Sequence, residues 1–110
     1  MIRNLCIMAA ALLLSGCAHH KAAERADYWR SETASHLPAG TSLDVAEKFF
    51  TDRGLQLVCC VNNGTGFKRY AVEHDVAQSV ITHYDVAILV DTTPEKRVSK
   101  VTVEQWGVGL

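Results

Sequence analysis

Cysteine and histidine are the residues of this chain whose chemistry could go beyond packing, and there are four of the first and five of the second in 110 residues. Cys6 and Cys17 lie near the N-terminus, the second closing the run Leu12-Leu13-Leu14-Ser15-Gly16-Cys17, whereas Cys59 and Cys60 are chain neighbours. Adjacent strand residues point to opposite faces. A trans peptide holds their Cα atoms about 3.8 Å apart, below the roughly 4.4 Å at which disulfides usually begin. The pair therefore reads as two thiols without a bond between them, one buried beside Leu57 and Val61 and one partly exposed. A redox switch or an intermolecular disulfide is the functional alternative. Of the histidines, His19 and His20 are adjacent, His36 stands at a helix end, and His74 and His83 are nine positions apart. None of these spacings is the His-Glu-x-x-His or paired Cys/His pattern that preorganises zinc. No metal site is expected beyond adventitious binding at His19-His20. A cysteine nucleophile served by His74 or His83 has no local signature. Asn63-Gly64-Thr65-Gly66 lacks the Lys-Ser/Thr of a phosphate loop and reads as a turn. The expectation is a non-enzymatic protein with no catalytic residues and no cofactor.

Cys17 has a more definite setting. Met1-Ile2-Arg3-Asn4 is a short start with one positive charge, and Leu5 to Leu14 carries no charge at all. Ten apolar residues are about half of what spans a bilayer. A basic start, a short apolar middle and small residues after it are the marks of an export signal. Leu14-Ser15-Gly16-Cys17 resembles the lipobox of bacterial lipoproteins. That resemblance implies cleavage before Cys17, a diacylglyceryl group on its sulfur, and usually a further acyl chain on the freed amine. One chain holds a protein to a membrane marginally and two hold it stably. Residues 1–16 are then a signal peptide and 17–23 a lipidated tether. Residues 24–110 are left as a single domain.

The elements that carry these residues follow from periodicity. Composition is that of a globular domain, 48% hydrophobic and 21% charged, and loss of Arg3 moves the formal charge only from −1 to −2. No basic patch or charge block points to nucleic acid. Ala22, Ala26, Trp29, Thr33 and Leu37 recur at helical spacing and end at Pro38 and Gly40. Thr41-Ser42-Leu43-Asp44 opens a second helix, 42–53, with Val45, Ala46, Phe49 and Phe50 on its apolar face and a stop at Gly54. Beyond Gly54 the period becomes alternating. Strands are expected over 55–62, with Leu57 and Val61 opposite Val58 and Cys60, and over 67–72. Residues 73–80 are either a loop or more of that strand. Further strands are expected over 81–91 and 98–106, with Asp85 and Asp91 facing solvent near strand ends. The architecture is α+β: a two-layer sandwich of two N-terminal helices on a three- to four-stranded antiparallel sheet.

A lipobox, then Leu37-Pro38-Ala39-Gly40-Thr41-Ser42 opening a capped helix, Arg53-Gly54-Leu55 leading into a strand, and a closing hairpin around Asp91 resemble small Gram-negative lipoproteins of the SmpA/OmlA (BamE-like) type. Members of that group usually close the capped helix with a Gly-x-Pro turn, which Arg53-Gly54-Leu55 replaces here. The resemblance implies a lipid-anchored, non-enzymatic domain facing the periplasm from the outer membrane, with a role in envelope assembly or maintenance and a protein partner there. Ala18 agrees, because in enteric-type bacteria an Asp after the lipidated cysteine favours retention in the inner membrane. The rival reading is a periplasmic inhibitor or immunity lipoprotein that inserts a loop, 62–66 or 73–80, into a hydrolase or toxin. Trp29 and Trp106 read first as packing residues. Uncovered sheet faces and edges recruit partners, and the candidate interface set is Val58, Cys60, Val98 and Trp106, opposite Leu57, Val61, Val101 and Val103.

Overall fold

The computed structural model describes residues 2–62 and 67–109. Its elements run α1 (Ile2–His36), α2 (Leu43–Asp52), β1 (Val58–Asn62), β2 (Phe67–Gln78), β3 (Thr82–Thr92) and β4 (Val98–Gly109). The strands form one antiparallel meander in the order β1-β2-β3-β4, and the helices cover one of its faces. This is the expected α+β sandwich.

The helical stripe of α1 is the seam of the core: Ala22, Ala26, Trp29, Thr33 and Leu37 are all buried. The same four-residue step extends one turn further back, to a buried Ala18. Residues 17–23, expected as a tether, are therefore helical and part of the packed structure. In α2, Ser42 is the cap, its side chain accepting from the Val45 amide at 3.3 Å, while the Thr41 hydroxyl donates to the Pro38 carbonyl. Leu43, Ala46, Phe49 and Phe50 are buried and Val45 is exposed. Gly54 supplies the left-handed stop at φ +80°, a region that costs glycine little. Trp29 stacks on Phe50 with ring centres 6.1 Å apart and meets Phe49 edge-on, so α1 and α2 join above Ala71, Val86, Ile88, Val90 and Val103 of the sheet.

One polar clamp ties α1 to β2. Arg25 grips both carboxylate oxygens of Glu73 at 2.8 and 2.7 Å, and the Trp29 indole donates to the same carboxylate at 3.2 Å. Burial pushes the Glu73 carboxyl up, but the hydrogen bonds from Arg25 and Trp29 and the Arg25 charge outweigh it and hold the group below its ordinary value. Among the described residues no buried side-chain nitrogen or oxygen lacks a partner.

Candidate functional site

Cys17 is exposed and carries a free thiol on α1. Its neighbour Ala18 packs with Ala22 against Ala77, Val76 and Tyr84, where β2 and β3 approach their connecting turn. His19 is edge-on to Tyr84 and its ring nitrogen lies 3.4 Å from the Gln105 amide. No spacer separates the candidate lipid attachment point from the domain. Among the described residues no helix is long and apolar enough to cross a membrane.

The second candidate is the sheet face that no helix covers. Cross-strand partners share a face, so the register fixes its members: Val58, Tyr70, Leu89 and Thr102 form one row, Val72, Ala87 and Glu104 a second, and Asp85 and Trp106 a third. Val58 and Trp106 stand there as expected, Trp106 at 44% exposure and with its indole donating to Glu104. Trp29 is buried, as the packing reading of both tryptophans required, whereas Trp106 is exposed and departs from that reading.

Two members of the expected interface set need correction, for related reasons. Val98 is 1% exposed and belongs to the core. Asp91 pairs Lys100 but Thr92 pairs Val98, so Ser99 is an extra residue that reverses the alternation at the start of β4. On β1, Val58 pairs Tyr70 and Val61 pairs Lys68, so three steps on β1 face two on β2. This bulge at Cys59-Cys60 puts Val61 on the uncovered face with Val58 rather than opposite it. Cys60 is exposed, but it is bonded to Cys59 rather than carrying a free thiol. The two sulfurs are joined, where two separate thiols were expected.

A third irregularity gathers titratable groups that the sequence spacing concealed. Glu73 pairs Val86 and Ala77 pairs Tyr84, so His74, Asp75 and Val76 all oppose Asp85. Asp85 is only 8% exposed, not a solvent-facing strand-end residue as expected. One of its oxygens accepts from the Asp75 amide at 2.9 Å, and the other lies 3.1 Å from His74 Nδ1. Burial pushes the Asp85 carboxyl up, yet the Asp75 amide, His74 and the His83 charge bring it below its ordinary value. Asp75, which adopts a positive φ of 54°, His83 and Asp85 carry donor atoms within 4.8 Å of one another, in reach of a single cation. Both Asp85 oxygens already serve the bulge, and holding its extra residues in place is the role these contacts explain. The segment 73–80 is strand as far as Gln78, leaving only a short turn; most of 62–66, at 63–66, lies outside the described residues.

The chain matches no family model, no curated protein and no solved structure. The functional reading therefore stands on Cys17, its packed neighbour Ala18, and the chemistry of the uncovered sheet face.

Proposed function

We propose that this chain is a non-enzymatic lipoprotein, anchored in the bacterial outer membrane by acylation of Cys17, whose α+β domain offers its uncovered sheet face to a protein of the envelope. The observation that carries the reading is the lipobox Leu14-Ser15-Gly16-Cys17 ending in an exposed thiol. Ala18 in place of Asp favours the outer membrane. The likeness to SmpA/OmlA-type lipoproteins points to assembly or maintenance of the envelope as the setting. Val58, Val61 and Trp106 supply apolar contact on the face, with Lys68, Asp91 and Glu104 among its charges, a mixture suited to a protein partner. The test is Cys17→Ser in the full chain, expressed in a Gram-negative host with labelled palmitate. The wild type takes up label and sediments with outer membranes. The variant takes up none and is recovered uncleaved or soluble with its domain folded. A Cys17→Ser protein that still sediments with membranes after removal of residues 1–16 overturns the proposal.

A further inference from the structure

The most exposed large apolar side chains of the described chain sit together at one end of the sheet. Val80 is 94% exposed and Ile81 68%, at the tip of the β2–β3 hairpin, with the exposed Val108 of β4 opposite His83 just behind them. The tip is a built turn. The Ser79 amide donates to the Thr82 carbonyl at 2.7 Å, and the Thr82 amide donates to the Ser79 hydroxyl at 3.2 Å. The polar atoms flanking the apex are thus turned onto one another, and the two aliphatic side chains stand clear. From Ala77 to Thr82 the sequence holds no charge. A hairpin that had only to reverse direction in water would be expected to use Asn, Asp or Gly here.

The end of the molecule at which this tip lies is fixed by α1. Arg25 and Trp29 meet Glu73, and three to eleven residues earlier Ala22 and Ala18 meet Ala77. Going toward the N-terminus along α1 therefore means going toward the tip along β2. From the level of Ala18, Cys17 is one helical rise further on, about 1.5 Å. Val80, three strand residues beyond Ala77, reaches up to about 10 Å further. An apolar face at a bilayer surface sinks about 5–10 Å, to the boundary of headgroups and acyl chains. An acyl group on the Cys17 sulfur and the side chains of Val80 and Ile81 would meet the same layer together.

We infer that the Val80-Ile81 hairpin tip is a second membrane contact, inserted into the bilayer that holds the lipid of Cys17. The inference rests on the acylation of Cys17 proposed above, and its occupant is the lipid surface rather than a protein. Two acyl chains already suffice for retention, so the work of the tip is orientation. Two contacts at one end, with no spacer between lipid and helix, stand the domain upright, with the long axis of α1 rising from the membrane and the uncovered sheet face turned sideways into the periplasm.

The experiment uses the full chain, purified from host membranes and reconstituted in vesicles of phosphatidylethanolamine and phosphatidylglycerol whose acyl chains are either brominated or plain. Val80→Trp reports the tip, and Glu95→Trp reports the hairpin at the other end of β3. Both sites are exposed, so neither change disturbs packing. With the emission of the parent subtracted, bromine is expected to quench the tryptophan of Val80→Trp by about two-fold, as for a side chain at the acyl boundary, and to leave that of Glu95→Trp unchanged. Equal quenching of the two in protein whose acyl mass is confirmed and which floats with the vesicles overturns the inference and leaves the lipoprotein reading intact; a protein bound by a neighbouring protein at its tip would give this result. Protein without an acyl group overturns both.

Discussion

The two faces of the sheet are built from the same strands and nearly the same residue types, yet only one is closed. On the helix side, Ala71, Val86, Ile88, Val90 and Val103 are sealed under the rings of Trp29, Phe49 and Phe50, and the Glu73 carboxylate there is met by three donors. On the other side Tyr70, Val72 and Leu89 are only half-buried and Trp106 is exposed. Burial of each large side chain is worth roughly 1.5–3 kcal/mol, so stability resides on the first face. What the second loses in burial it gains in availability. A tryptophan kept at the surface costs folding little and gives a partner a large, rigid contact.

Substitutions graded across that contrast test it. Trp29→Ala removes the ring joining α1, α2 and β2, and should cost about 3–5 kcal/mol in denaturant unfolding, as for other buried aromatics. A loss near zero would place the core elsewhere. Glu73→Ala leaves the buried indole of Trp29 and the Arg25 guanidinium without their acceptor, and about 1–3 kcal/mol is expected for orphaned donors of this kind. Acid should weaken both faces. Glu73 and Asp85 are held below their ordinary values, so their contribution is full above the unfolded-state values, about 4, and is lost as pH falls through the lower folded-state values. The double variant Glu73→Gln, Asp85→Asn should show a thermal midpoint that falls less between neutral pH and the acid limb than that of the wild type. An unchanged slope would mean that neither carboxylate is stabilised by folding. Trp106→Ala is the mildest change: stability should stay within about 1 kcal/mol, as for ordinary surface sites, while recovery of an envelope partner crosslinked in native membranes is lost. If the variant unfolds, Trp106 holds the core and the uncovered face is not the interface.

The regular parts of this fold were legible in the sequence and the irregular ones were not. The α1 stripe from Ala22 to Leu37 and the α2 face of Ala46, Phe49 and Phe50 follow from a period of 3.6 and the Gly54 stop from its turn chemistry, although Val45, expected on the same α2 face, is exposed. Each misplaced residue of the candidate interface stands beside a bulge. One extra residue exchanges the two faces of a strand, and Ser99 and the Cys59-Cys60 pair each insert one without any composition that marks it. The Asp85 cluster was hidden for the same reason, because His74 and Asp75 reach it only through the two extra residues of β2. The helical character of 17–23 was present as the step from Ala18 to Ala22, but small alanines also suit a spacer, and Tyr84 and Ala77, the groups that bury them, are about sixty residues away in sequence.

Whether Cys17 is the point of attachment decides most of this account. The direct measurement is mass spectrometry of the N-terminal peptide of the protein recovered from outer membranes of an expressing Gram-negative host. The expected product is a chain that starts at Cys17 and carries a diacylglyceryl thioether. A chain that keeps residues 1–16 with a free Cys17 thiol, or one cut at another bond, would contradict it.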